Sequence, residues 1–147
     1  MEPKTILLIE DSPDDVALTE AAFARLGLAH RLIVASDGES ALDLLVPRTQ
    51  GNGPSELPDL VLLDLKLPGM DGFEVLRRVR GDARASLLPV VVLTSSVEER
   101  DVSTSYRLGA NSYIRKPIDF DEFVPIAAQI LRYWLGLNEP PALGVQS

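Results

Sequence analysis

The sequence contains no cysteine and few basic residues, and each deficit narrows the kind of protein that it encodes. Without cysteine the 147-residue chain forms no disulfide and offers no thiolate to a metal, which predicts a cytoplasmic protein. Fourteen basic residues stand against 22 acidic ones, so the net charge is −8. Because phosphate binding needs a basic surface, this balance argues against nucleic acid and favours a bound cation or a protein partner.

Long hydrophobic runs are absent from the sequence as well. No apolar stretch approaches the roughly 20 residues that span a bilayer, and no signal peptide is visible, so no membrane partner is predicted. Hydrophobic residues still make up 46% of the chain and charged residues 24%, which is ordinary for a soluble globular protein. The length predicts one domain with a substantial core.

The most informative stretch is Leu60–Leu63, an apolar run that stops at Asp64 and is soon followed by Pro68 and Gly69. Its residues do not alternate with polar ones, which indicates a strand buried on both faces, as in a parallel sheet. Pro68 and Gly69 prevent the strand from continuing. Other strands are predicted at 6–9, 31–35, 89–94 and 112–114, with 31–35 at the edge of the sheet.

Helical segments separate the predicted strands. Ser12 and Pro13 form a strong helix start, since serine caps a first turn and proline suits the first helical position. Asp37 and Gly38 turn the chain into a second, short helix. Five strands alternating with five helices predict an α/β fold: a doubly wound parallel sheet in the flavodoxin-like order 2-1-3-4-5, with helices on both faces. The remaining helices are predicted at 71–80, 97–108 and 121–135.

Chemistry-bearing side chains follow the predicted strands at the point where each strand ends. They are Glu10 and Asp11 after the first strand, Asp64 after the third, Thr94 at the end of the fourth and Lys116 after the last. Open α/β sheets bind ligands at this edge. Three carboxylates beside one ammonium repel one another, and a hard cation with oxygen ligands, such as Mg²⁺, would neutralise them. Each residue alone has a simpler reading as a cap or surface group, so only their joint occurrence favours a shared site.

These residues lie in six short motifs. The motifs are Leu8-Ile9-Glu10-Asp11, Leu63-Asp64-Leu65, Pro68-Gly69-Met70-Asp71-Gly72, Val92-Leu93-Thr94-Ser95, Gly109-Ala110-Asn111 and Lys116-Pro117. Together they resemble the receiver domains of two-component response regulators, over residues 5–135. The resemblance implies that Asp64 accepts a phosphoryl group from a phosphohistidine of a sensor histidine kinase. It implies a signalling protein and no enzyme, with at most slow self-dephosphorylation.

The resemblance also implies a metal site of specific composition. Mg²⁺ would be held by the carboxylates of Glu10, Asp11 and Asp64 and by the backbone carbonyl of Lys66. A carboxylate is a poor nucleophile toward an anionic phosphoryl group unless positive charge neutralises both partners. The implied cation therefore suits the implied reaction.

Three further residues receive roles from the resemblance. Lys116 would neutralise the phosphoryl group on the side opposite the cation, and the Thr94 hydroxyl would donate to a phosphoryl oxygen. The new bond would draw the loop of Thr94 inward and let Tyr113 turn inward as a switch. Receiver domains also commonly have a cis peptide at the position of Lys116 and Pro117, and we predict one here although only about 5–6% of X–Pro bonds are cis.

Within the family the chain resembles single-domain regulators that partner bacterial and cyanobacterial phytochromes. The segment Glu10–Asp15, the Pro- and Gly-rich stretch 47–58, expected to be an exposed loop, and the segment Arg132–Leu135 carry this likeness. A phytochrome-type sensor kinase is therefore the expected partner. With a receiver domain at 1–135, the tail at 136–147 is too short for an output domain. We expect output through a downstream protein target or a phosphotransfer protein of a phosphorelay.

Two other functions are compatible with a doubly wound sheet. A phosphatase with an aspartate nucleophile would need a second carboxylate two residues after Asp64, where the chain has Lys66. A flavin- or nucleotide-binding module would need a phosphate-binding loop after the first strand, where Glu10 and Asp11 would repel phosphate. Both alternatives are therefore weaker than the receiver reading.

The last helix carries more apolar residues than one buried face requires. Pro125 lies near its start and predicts that the helix begins late or bends. Apolar residues outside the core stripe, together with the tail, predict a two-fold homodimer through the last helix and the tail. The alternative is a tail that folds back on its own chain. The stripe comprises Phe120, Phe123, Val124, Ala127, Ile130, Leu131 and Trp134, and the residues outside it are Ile126, Tyr133, Leu135, Leu137, Leu143 and Val145.

Overall fold

The computed structural model describes residues 3–46 and 56–142. The strands are β1 (Lys4–Ile9), β2 (His30–Ala35), β3 (Leu60–Leu63), β4 (Val90–Thr94) and β5 (Ser112–Arg115). The helices are α1 (Pro13–Arg25), α2 (Gly38–Leu45), α3 (Gly72–Gly81), α4 (Glu99–Arg107) and α5 (Phe120–Arg132). A π-helical turn, Tyr133–Leu137, extends α5.

The five strands form one parallel sheet in the order β2-β1-β3-β4-β5, which confirms the predicted topology and the edge position of β2. The register brings the carboxyl ends of the central strands level. Ile9 of β1 lies opposite Leu63 of β3, and Leu63 lies opposite Val92 of β4. Residues that directly follow these strands therefore meet at one edge of the sheet.

Apolar side chains from both faces of the sheet are buried, which explains why the central strands do not alternate. Leu63 and Val92 face the layer that contains α2 and α3, whereas Leu62 and Val91 face the layer that contains α1 and α5. A strand between two helical layers needs apolar residues at every position. All residues of β3 and β4 are accordingly buried.

Helix α4 is the least buried of the five α-helices in the described part of the chain. Among its residues only Ser105 is fully buried, and its hydroxyl donates to the Asp101 carbonyl at 2.7 Å. The sequence had predicted sparse packing, since few large apolar residues occur between 97 and 108. The structure agrees, with Val97 and Tyr106 exposed.

Helix α5 begins at Phe120, upstream of Pro125, so of the two predicted alternatives the late start is wrong. The Asp119 carbonyl accepts the N–H groups of Glu122 and Phe123 and closes the first turn before the proline. Phe123 is then buried against the sheet. Burial of that ring favours the early start over the hydrogen bond that a proline inside a helix removes.

The predicted exposed loop and the predicted role of the tail concern segments that lie wholly or partly outside the described residues. The stretch 47–58 lies outside the described residues except for 56–58, as do Leu143 and Val145 of the tail. No helix in the described ranges 3–46 and 56–142 is long and apolar enough to cross a bilayer.

Candidate functional site

Three carboxylates meet where β1 and β3 end. The Glu10 N–H donates to the Ala35 carbonyl at 3.0 Å and the Asp64 N–H to the Ile9 carbonyl at 3.0 Å, so the backbone fixes both residues just past their strands. Oxygen atoms of Glu10, Asp11 and Asp64 all lie within 4.8 Å of one another. The sequence prediction that these three residues share a site is therefore matched by the geometry.

The carboxylate cluster is partly buried, and its negative charge exceeds the positive charge beside it. The side chain of Glu10 is only 3% exposed. Burial raises the pKa of Glu10 to about 7; Lys116 opposes the rise through its hydrogen bond and charge, and the nearby charge of Asp64 adds to it. One ammonium thus compensates the carboxylates incompletely, which is the condition under which a cation binds.

The carboxylate of Asp64 is held on one side by β4. The Thr94 hydroxyl donates to Asp64 Oδ1 at 3.0 Å, and both residues are buried. The Lys66 N–H also points to Asp64 Oδ1, at 3.3 Å. Thr94 therefore contacts the Asp64 carboxylate directly. The sequence predicts this proximity, because Thr94 lies at the end of the neighbouring strand.

Lys116 reaches the cluster from the end of β5. Its N–H donates to the Thr94 carbonyl at 2.7 Å, and its Nζ donates to Glu10 Oε1 at 2.5 Å and to Asp15 Oδ2 at 3.1 Å. Burial alone would lower the pKa of Lys116, but the hydrogen bond to Glu10 and the charges of Glu10 and Asp64 raise it above its ordinary value. The ammonium therefore stays charged, and within the described residues it makes no hydrogen bond to Asp64.

The predicted cis peptide between Lys116 and Pro117 is wrong, because residues 3–46 and 56–142 contain no cis peptide bond. An X–Pro bond favours trans by about 0.5–1 kcal/mol. The trans bond still lets Lys116 reach the cluster, where it meets Glu10 and Asp15.

The loop after β3 packs closely against the backbone of the site. Gly69 has a positive φ of 71°, which glycine adopts without strain. A Cβ on Gly72 would lie 2.6 Å from the Asp64 carbonyl oxygen and 2.7 Å from the Leu65 Cα. The Gly72 N–H donates to the Leu65 carbonyl at 3.0 Å. Two glycines of the predicted turn motif therefore allow α3 to begin directly against the strand end that carries Asp64.

A chain of hydrogen bonds leads from the site toward α4 and β5. The Tyr113 hydroxyl donates to the Ser96 carbonyl at 3.1 Å, and the Ser96 hydroxyl donates to Asp101 Oδ2 at 2.5 Å. Tyr113 is half-buried and packs against the core. The ring is thus held beside the loop that follows Thr94, and its inward turn on phosphorylation stays a prediction.

Sequence reasoning missed one residue of the site. In the sequence, Asp15 belongs to the segment that carries the likeness to phytochrome-associated regulators and receives no role of its own in the site; in the structure it is an acidic residue in the first turn of α1. In the structure its carboxylate is the second partner of the Lys116 ammonium. The available signal was its position in the first helical turn after β1, since that turn begins at the same edge of the sheet as the carboxylate cluster.

The residues fit a hard divalent cation. Mg²⁺ prefers oxygen ligands, keeps several waters and uses few protein carboxylates. Glu10, Asp11 and Asp64 supply oxygens, with Asp11 exposed to solvent and the other two buried. A site open on one side suits an ion that retains water.

Comparison with known proteins decides the family. The response regulator receiver domain family matches residues 6–128. The chain belongs to this family. The receiver domain is a signalling module, so the match favours the predicted class over the phosphatase and flavin-binding alternatives.

Several relatives match this receiver domain over nearly its whole length. It is 41% identical over 140 residues to the probable methanogenesis regulatory protein FilR2 of Methanothrix harundinacea, covering 95% of this chain and 89% of that protein. It is 37% identical over 140 residues to response regulator Rcp1 of Synechocystis, covering 95% of each chain. These relatives are themselves about as long as this chain.

Solved structures give the same result for the receiver domain. The phosphorylated cyanobacterial phytochrome response regulator RcpA matches with a TM-score of 0.87 and 35% identity, covering 95% of this chain and 99% of RcpA. The Mn²⁺-bound form of Rcp1 matches with a TM-score of 0.84 and 38% identity, covering 95% of this chain and 100% of Rcp1. The predicted fold and the predicted likeness to phytochrome-associated single-domain regulators are confirmed.

Proposed function

We propose that the protein is a single-domain response regulator whose Asp64 accepts a phosphoryl group from a sensor histidine kinase. The observation that carries this proposal is the hydrogen bond from Thr94 to a buried aspartate within a carboxylate cluster suited to a cation. A hydroxyl and an ammonium at the rim of such a cluster provide what an anionic phosphoryl group needs. Lys116 supplies the ammonium.

The protein side chains that the transfer uses all lie at the strand ends. A carboxylate oxygen of Asp64 attacks phosphorus, the bond from phosphorus to the histidine nitrogen breaks, and the imidazole leaves with the electron pair and takes up a proton. Thr94 donates to one phosphoryl oxygen and Lys116 neutralises another. A bound Mg²⁺ would add positive charge on the other side of the phosphoryl group. The protein gains an acyl phosphate and at most hydrolyses it slowly.

The same proposal includes a switch. A phosphoryl oxygen would take over the Thr94 hydroxyl, which now donates to Asp64 Oδ1. Thr94 is joined through Ser96 to Tyr113, whose hydroxyl donates to the Ser96 carbonyl. Movement of Thr94 would therefore alter the loop against which Tyr113 is held. That surface, next to the sparsely packed α4, is where a partner would detect phosphorylation.

The partners follow from the family resemblance. Rcp1 and RcpA are similar over 95% of this chain, and RcpA is a cyanobacterial phytochrome response regulator. A phytochrome-type histidine kinase is therefore the proposed donor. Output would occur through contact with a downstream protein or transfer to a phosphotransfer protein, with 1–135 as the receiver domain and 136–147 as a tail.

The proposed metal site contains Glu10, Asp11, Asp64 and the backbone carbonyl of Lys66. Replacing Asp11 by asparagine should weaken Mg²⁺ binding at least about tenfold, because loss of even an outer-shell partner costs that much at metal sites. Isothermal titration with Mg²⁺ measures the change. The matched control is Asp14→Asn, which removes the same charge from an exposed residue of α1. Equal affinities of the two variants would rule out Asp11 as a ligand.

We also propose a homodimer of two-fold symmetry built on α5 and the edge strand β5. Tyr133 is 48% exposed and Leu137 is 78% exposed, and both lie in the turn that extends α5. An adjoining groove is lined by Ile114, Ile126 and Tyr133 among others. The patch is smaller than predicted, because Ile126 and Leu135 pack partly against the core. Tyr133 still borders the groove that contains Ser112 and Ile114 of β5, which is an edge strand of the sheet.

Sedimentation of the wild type at micromolar concentration should show a dimer, and Leu137→Asp should shift it to monomer because a carboxylate is costly in an apolar interface. Leu87→Asp is the control, since Leu87 is 63% exposed and lies outside α5 and β5. It should leave the assembly unchanged. A monomeric wild type, with or without a phosphoryl mimic, would contradict the dimer.

A further inference from the structure

The Lys116 ammonium donates to two carboxylates that differ in their exposure to solvent. Glu10 is buried in the cluster, whereas the Asp15 side chain is 37% exposed and lies at the rim. The ammonium lies 2.5 Å from Glu10 Oε1 and 3.1 Å from Asp15 Oδ2. Neither contact uses Asp64, although transfer to Asp64 needs this ammonium at the incoming phosphoryl group.

We infer that Asp15 is a positioning residue that holds Lys116 at the rim of the site and competes with the phosphoryl group for its ammonium. The inference rests on the proposed function of Asp64. An ammonium has three donors, and Glu10 and Asp15 occupy two of them. Within the described residues the third donor makes no hydrogen bond to Asp64, so Lys116 has to move its ammonium toward a phosphoryl group that reaches Asp64, and the contact with the partly exposed Asp15 lengthens or breaks. Asp15 thereby restrains phosphoryl uptake.

The backbone holds Asp15 in position independently of its carboxylate. Its N–H donates to the Ser12 hydroxyl at 3.3 Å, and its carbonyl accepts from the Thr19 hydroxyl at 2.8 Å. These bonds fix the first turn of α1, and with it the direction in which the side chain leaves. A neutral side chain at this position therefore removes the competing charge without removing the helix start.

The experiment compares phosphoryl uptake from acetyl phosphate at saturating Mg²⁺ in the full chain. Asp15→Asn should raise the maximal uptake rate constant about two- to fivefold, the range expected for removal of a partly exposed ion pair. The apparent KM for acetyl phosphate should stay at the wild-type value both in Asp15→Asn and in the control Asp14→Asn, which removes the same charge from an exposed neighbour that lies outside the site. A general charge effect on the anionic donor would instead change KM in both variants.

Two further variants separate competition from loss of structure. Asp15→Glu keeps the charge and should react at nearly the wild-type rate, whereas Asp15→Ser, a second neutral variant, should match Asp15→Asn. A maximal rate for Asp15→Asn equal to or below that of Asp14→Asn would overturn the inference. So would an equal acceleration in Asp15→Glu. If the wild type itself takes up no phosphoryl group, the function proposed for Asp64 fails, and the role of Asp15 fails with it.

Discussion

The Asp64→Asn variant is expected to take up phosphoryl groups from acetyl phosphate at least about a thousandfold more slowly than the wild type. An amide is neutral and a far weaker nucleophile than a carboxylate. The Thr94 hydroxyl, which now donates to Asp64 Oδ1, can still donate to the amide oxygen. The change therefore removes the acceptor and leaves its surroundings in place. Intact-protein mass spectrometry over time measures the uptake.

The thermal stability of Asp64→Asn shows whether its slow uptake results from loss of the acceptor or from misfolding. Asp64 shares its site with Glu10 and Asp11, so removing one carboxylate relieves repulsion and the thermal midpoint should not fall. Asp14→Asn is the matched control and should keep the wild-type rate within about twofold, as surface charge changes usually have small effects. Undiminished, Mg²⁺-dependent uptake by Asp64→Asn would mean that another residue is the acceptor.

Replacing Arg80 by methionine is expected to lower the free energy of unfolding by about 3 kcal/mol, with a fall of about 10 °C in the thermal midpoint. The Arg80 guanidinium, at the end of α3, donates four hydrogen bonds. Methionine keeps the helix propensity but removes all four bonds, although Oδ1 of Asn111 still accepts from the Val90 N–H at 2.8 Å. The acceptors are the carbonyls of Gly109 at 2.9 Å, Ser86 at 3.0 Å and Leu88 at 2.7 Å, and Oδ1 of Asn111 at 2.9 Å.

Arg77→Met on the same helix is the control for this prediction. The Arg77 side chain is 55% exposed and pairs only with Glu74 in the described residues, at 3.1 Å, so its loss should cost below about 0.5 kcal/mol. Urea unfolding followed by circular dichroism gives both free energies. If Arg80→Met loses no more stability than Arg77→Met, the bonds that join α3 to the segments before β4 and β5 contribute nothing net.

The sheet was predictable because each of its central strands is a short, continuous apolar run that can be recognised in the sequence by itself. Runs such as Leu60–Leu63 and Val90–Leu93 are apolar without alternation, and only burial between two helical layers explains that pattern. The strand order then brings Asp11, Asp64 and Thr94 to one edge. The likeness to receiver domains supplied the roles of these residues, which periodicity alone does not give.

Other features depend on contacts between distant parts of the chain. Lys116 pairs with Asp15 across 101 positions, and Arg80 reaches Asn111 across 31, so neither pair has a local signature. The trans bond before Pro117 contradicts a prediction that rested only on the cis conformation common in receiver domains. The partial burial of Leu135 escaped prediction because the π-helical turn changes the helical period at the end of α5.

The central claim is that Asp64 receives the phosphoryl group of a sensor kinase in a Mg²⁺-dependent reaction. The most direct test incubates the protein with an autophosphorylated, labelled phytochrome-type histidine kinase and maps the label by peptide mass spectrometry. We predict that label leaves the kinase and arrives on the peptide that contains Asp64, and that EDTA prevents the transfer. Label on a peptide without Asp64, or transfer that persists in EDTA, would contradict the account, and label that stays on the kinase would contradict the proposed partner.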